Sequence, residues 1–243
     1  MRRNRLTFEV CIDSPAGLNA CAGLVDRIEL CSALELGGLT PDPGLIALAA
    51  QSDLPSHVMI RPRAGDFHYD AAETQAMCAS IHAVKEAGLA GVVIGARQGD
   101  VLDLDTLSTL MRAADGLEVT LHRVIDLLPD PIAAMEQAIS LGIDRILTSG
   151  GAPKAIDGLA QIARLHSAAN GRIEIMAGSG VSVSNLAEIA EKTGITSFHS
   201  SCAKGMPVAA DLHQFGFAKT QRVTDRAAVS AFRSKLDQLA TRG

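Results

Sequence analysis

The chain has 243 residues, 22 basic and 27 acidic side chains for a net charge of −5, and 47% apolar residues. That length and apolar content can bury a large core without metal or disulfide staples, and one domain spanning 1–243 is the expectation. The acidic balance excludes a broad nucleic-acid or anionic-membrane surface, which needs clustered positive charge, and 3% aromatics with no Trp leave no platform for stacking bases.

The opening MRRNRLTF carries arginines but no apolar h-region, so it does not read as a secretory leader. Short β-rich runs then recur: TFEVCI (7–12), DRIELC (26–31), HVMIRP (57–62), GVVIGA (91–96), EVTLHRV (118–124), DRILTS (144–149), RIEIMAG (172–178) and SFHSS (197–201). They fall about 27 residues apart, room for a strand, a helix and two loops in each repeat. The segments between them have helical periodicity, with Ser14-Pro15 and Asp130-Pro131 as helix starts and Gly88, Gly142 and Gly194 as stops. After the eighth strand, a rim loop over about 205–223 and a helix over about 225–239 complete the chain. Eight strands alternating with helices predict an α/β fold, a single (β/α)8 TIM barrel, over an open doubly wound sheet. No apolar run approaches the roughly 20 residues of a spanning helix. Five cysteines, an odd number with no CxxC, predict reduced thiols and a cytoplasmic protein.

In such a barrel the chemistry sits at the carboxyl ends of the strands, and alternate side chains point inward. A period of two places Glu9 with Cys11, Glu29 with Cys31, Met59 with Arg61 and Arg63, Thr120 with His122, Glu174 with Met176, and Ser197 with His199. Glu9, Glu29 and Glu174 stand where an ordinary barrel carries Val or Ile. Buried carboxylates need partners, and Arg61, Arg63, His122, Arg123 and His199 are the expected ones. The acid–base candidates are His122, His199 and the glutamates Glu9, Glu29 and Glu174. Two glycine-bearing turns, TSGG (148–151) and AGSGV (177–181), add an anion cue. The anion-binding candidates are therefore Arg61, Arg63, Arg123, Asp126, Ser149, Gly178, Ser179, Gly180 and Ser200, around a small anionic substrate. For a metal, Cys11 and Cys31 occupy matching places on neighbouring strands and offer soft ligands for copper(I), while the Glu and His residues would suit a divalent ion. The absence of a strand lysine, of GxGxxG after a strand and of GxSxG disfavours Schiff-base, dinucleotide and serine-hydrolase chemistry.

The blocks FEVCIDS (8–14), DRIELCSALELGGLTP (26–41), VMIRPRAGDF (58–67), LHRVID (121–126), GIDRILTSGG (142–151), GRIEIMAGSGV (171–181) and FHSSC (198–202) closely resemble the CutC family of copper homeostasis proteins, over about 8–240. The resemblance implies a cytoplasmic (β/α)8 barrel that forms a homodimer or higher homo-oligomer and handles or binds copper, with Cys31 as the matching candidate ligand in the second block. It implies neither a nucleic-acid nor a membrane partner. Two functions follow: copper homeostasis, implied by the family, and acid–base chemistry on a small anionic, sugar-like or phosphorylated compound, which the strand-end charges suggest.

Overall fold

In the computed structural model the described residues are 6–216 and 218–241. Residues 1–5, 217 and 242–243 lie outside them, and with them the arginine-bearing start and the two ends of the 1–243 domain. Eight parallel strands close into a barrel: β1 (Thr7–Ile12), β2 (Arg27–Leu30), β3 (Ser56–Met59), β4 (Gly91–Ile94), β5 (Glu118–Leu121), β6 (Arg145–Thr148), β7 (Glu174–Ala177) and β8 (Ser197–Ser200). Each is followed by a helix: α1 (Pro15–Cys21), α2 (Pro43–Ala49), α3 (Ala71–Glu86), α4 (Leu104–Ala113), α5 (Pro131–Ser140), α6 (Leu159–Ala169), α7 (Leu186–Thr193) and α8 (Arg226–Ala240). This is the (β/α)8 fold that the strand spacing predicts.

Local chemistry starts and stops these helices. The side chains of Ser14, Asp42, Asp70, Asp103 and Asp130 each accept a backbone N–H of the first turn, as side-chain N-caps do. At Asp70 the bond is reciprocated, because Glu73 accepts the Asp70 N–H.

The strands present two different faces. Outward residues such as Phe8, Val10, Ile28, Val58, Val92, Ile146 and Phe198 join the helices in one apolar layer. Phe8 stacks on Phe232 of α8 with ring centroids 4.3 Å apart, so the final helix closes over β1. The inward face carries instead Glu9, Arg27, Glu29, His57, Thr120, His122, Arg145 and His199, all buried. Register sets Glu9 beside Arg27 on β2 and beside His199 on β8, and Cys11 beside Glu29.

The segment expected as a rim loop contains an antiparallel ribbon, Ala203–Pro207 with Thr220–Thr224, joined through a single helical turn at Ala210–His213. Its side chains are mostly exposed, so no buried face imposes the alternation by which the barrel strands are read. Among the described residues no helix is long and apolar enough to cross a membrane.

Candidate functional site

Polar groups fill the barrel interior from its amino end to its carboxyl end. At the amino end, Arg145 lies between Glu118 (Nη2 to Oε2, 3.2 Å) and Glu174 (Nε to Oε2, 2.8 Å). Glu174 also lies 3.6 Å from Arg27, which bonds through Nε to Glu9. The second oxygen of Glu9 meets His199 Nδ1 at 2.7 Å. The chain Glu118–Arg145–Glu174–Arg27–Glu9–His199 thus runs up the barrel axis with alternating sign. Burial pushes the Glu9 carboxyl up, but the His199 hydrogen bond and the Arg27 charge outweigh it and hold the group well below the usual carboxylate range. Burial likewise disfavours a charged His199, and it is outweighed by the Cys11 sulfur, Glu29 and Glu9, so this ring is held protonated well above its ordinary value.

Arg27 and Arg145, the principal partners of the interior glutamates, were not among the expected ones. Their signal is in the sequence: Arg27 shares parity with Glu29, and Arg145 with Leu147, but both lie at strand starts, away from the carboxyl ends where the barrel rule directs attention. Of the expected partners, His199 does meet Glu9 and Glu29, whereas the three arginines are engaged elsewhere. The Arg61 guanidinium donates to the backbone carbonyls of Leu36, Gly38 and Gly65. Arg63 sits on the rim with Glu73 and Asp66, and Arg123 bonds Asp126 at 2.8 Å and Ser149 Oγ at 2.7 Å.

Above the ion chain, the carboxyl end opens into a cavity of about 520 Å³. Cys11, Glu29, Arg61, His122, His199 and Ser200 line it, together with Ser179 and Gly180 of the turn after β7. Glu174 is absent from this lining and belongs to the lower chain. The two glycine turns differ in what they offer. After β6, the Asp126 carboxylate accepts the N–H groups of Ser149 (2.9 Å) and Gly151 (3.0 Å) and the Thr148 hydroxyl. The protein's own carboxylate therefore occupies that cradle. After β7, Gly178 packs so closely on Leu147 that a Cβ would stand 2.5 Å from its Cδ1, while Ser179, at φ 73°, and Gly180 turn toward the cavity.

Three strands bring a thiol, a carboxylate and an imidazole together. One ligand atom each from Cys11, Glu29 and His199 lies within 4.8 Å of the others, all three residues buried. This group could hold a metal ion. The second cysteine expected as a ligand, Cys31, stands outside the trio: its Sγ donates to Glu29 Oε2 at 3.5 Å, and it packs with Met59 and Val93. Burial, reinforced by the Glu29 charge, pushes the Cys31 thiol well up, and burial likewise raises Glu29. His199 has the arrangement usual for a metal-bound histidine, one ring nitrogen held by a carboxylate and the other turned to the remaining donors; its Nε2 lies 3.8 Å from Glu29.

The fold and the site together define a (β/α)8 barrel with a polar, thiol-bearing pocket at its carboxyl mouth. The CutC family model matches residues 6–204. CutC family proteins of Sinorhizobium medicae, 48% identical with 98% of this chain and 99% of theirs aligned, and of Caulobacter vibrioides, 48% identical over 95% and 96%, are similar along nearly their whole length. A crystal structure of a CutC protein from Streptococcus agalactiae, 32% identical, superposes on 81% of this chain and 98% of its own with a TM-score of 0.77. This chain belongs to the CutC family.

Proposed function

We propose that Cys11, Glu29 and His199 form a metal site and that the protein serves copper handling, the role for which the S. agalactiae relative is named. The observation that carries this reading is the convergence of three buried ligand atoms, with His199 braced from behind by Glu9. The donor set is mixed. Copper(I) takes soft ligands and would use the Cys11 sulfur and the His199 imidazole; the Glu29 oxygen also admits a borderline divalent ion. A metal held by these residues would supply a Lewis-acidic centre. Glu9 fixes the ring orientation of His199, Arg27 holds Glu9 in place, and Cys31 steadies Glu29. All five cysteines are free thiols, which supports a reducing, cytoplasmic setting.

The test is titration of the reduced full chain with copper(I) against a competing chelator, with zinc(II) in parallel. One copper should bind, and Cys11→Ser or His199→Gln should remove it. Glu9→Gln should weaken affinity by roughly 10- to 100-fold, the usual cost of losing the group that orients a ligand. Copper uptake indifferent to Cys11→Ser and His199→Gln would overturn the site. Clear preference for zinc(II) would keep the site and overturn the copper role.

A further inference from the structure

The pocket contains a buried cation that forms no ion pair with the described residues. Arg61 is 5% exposed. Its Nη1 donates to the carbonyls of Leu36 (2.9 Å) and Gly38 (3.2 Å), and its Nη2 to Gly65 (2.9 Å). Its Nε has no partner. Among the described residues, ion pairs engage Arg27, Arg63, Arg123, Arg145, Arg172 and Arg233, and none engages Arg61. Buried charges are ordinarily paired, because desolvating one alone is costly.

His122 adds a second unspent donor. It is 4% exposed, and its Nδ1 accepts the Val124 N–H at 3.1 Å, which places the ring proton on Nε2. That Nε2 has no acceptor. Both groups share one apolar wall, the Phe67 ring, whose centroid is 4.9 Å from the Arg61 Cζ and 4.7 Å from the His122 centroid. A third buried atom without a partner is Glu29 Oε1, an acceptor, in a residue 4% exposed. Unsatisfied buried polar atoms are uncommon in native proteins; here two donors and an acceptor belong to residues that line one cavity.

We propose that the barrel mouth binds a small hydroxylated monocarboxylate, a sugar acid, whose carboxylate takes the Arg61 Nε–H and the His122 Nε2–H and whose hydroxyl donates to Glu29 Oε1. Charge selects the class. Of the cations that line the cavity, Arg123 is committed to Asp126 and His199 to Glu9, and Arg222 is exposed and donates to Ser201 Oγ. Arg61 is therefore the buried one left for the ligand, which matches one negative charge better than the two of a phosphate ester. Size agrees, since about 520 Å³ exceeds what an acetate-sized ion fills and lies in the usual range of ligand pockets. Ser179 Oγ, which donates to the Pro153 carbonyl, and Ser201 Oγ, which accepts one Arg222 N–H, also line the cavity and retain lone pairs for a polyol chain. Glu29 is shared with the metal trio, but Arg61 and His122, the two donors that take the carboxylate, lie outside it, so capture of the carboxylate does not rest on the copper reading.

The experiment is thermal unfolding and calorimetric titration of the full chain with sodium gluconate, with phosphate and chloride at matched ionic strength, before and after chelator treatment. Gluconate should raise the melting temperature in a saturable way, equally in both preparations. Arg61→Gln should abolish the response. Should that variant fail to fold, His122→Phe keeps the ring volume, removes the donor and should weaken binding by about tenfold, the worth of one hydrogen bond. The proposal is overturned if phosphate or chloride matches gluconate, if gluconate gives no saturable response, if the response vanishes with the chelator, or if His122→Phe binds as the parent does.

Discussion

At Gly95 an added Cβ would stand 2.3 Å from His122 Cε1 and 2.6 Å from Nδ1. The glycine of GVVIGA is therefore what lets the imidazole pack against the backbone just beyond β4. Gly95→Ala should destabilise the protein by about 1–3 kcal/mol, the usual cost of overpacking. Combined with His122→Ala the penalty should largely disappear, and a denaturant double-mutant cycle reads that coupling. His122 also makes stability depend on pH. Burial, with the Arg61 charge beside it, brings its pKa down to about 3 from an ordinary 6.5. Below about 6.5 the unfolded chain takes up a proton that the folded protein refuses. The contribution of this ring is thus complete above that pH and is lost progressively toward about 3. The urea midpoint should fall between about pH 7 and about pH 5, and by less in His122→Gln.

Element by element, the barrel strands are legible because each carries an outward apolar row that must pack on helices. In TFEVCI that row is Phe8, Val10 and Ile12, all fully buried. The Ala203–Pro207 and Thr220–Thr224 ribbon is not legible, because it packs on no core and so needs no alternation. Helix α8 belongs to the legible class, and its expected span of 225–239 differs by one residue at each end from Arg226–Ala240. It is held to the barrel chiefly through one face, with Val229, Phe232 and Leu236 buried. Phe232→Ala should cost about 3–5 kcal/mol, the range for a buried aromatic truncated to alanine. Because Phe232 stacks on Phe8 of β1 and not on the pocket, thermal unfolding should register the loss while copper and gluconate affinities stay unchanged at low temperature.

Across the whole molecule, the candidate site and the barrel interior form one electrostatic unit. The inward parity that puts Glu9, Glu29 and His199 inside is readable residue by residue. Which charge meets which is not, because pairing depends on how far each strand is offset around the closed barrel. The offset sets Glu9 beside Arg27 and Arg145 beside Glu174, across 18 and 29 positions of sequence. The same holds for Asp126, which reaches the Ser149 turn across 23 positions. The axial chain has a consequence for the pocket. Glu9 is shared between Arg27 below and His199 above, so loss of Arg27 leaves a buried carboxylate with His199 as its remaining charged contact. Arg27→Met should destabilise the fold by about 3–5 kcal/mol, as breaking one side of a buried pair does, whereas Arg63→Met on the rim should leave the melting temperature nearly unchanged. Arg27→Met combined with Glu9→Leu removes both charges and should regain much of that loss, since apolar replacement of a whole buried pair is often neutral. The double variant would then lack the carboxylate that orients His199. Stability recovered together with weakened copper uptake is the expected result; copper affinity restored along with stability would show that the axial chain holds the barrel without setting the site.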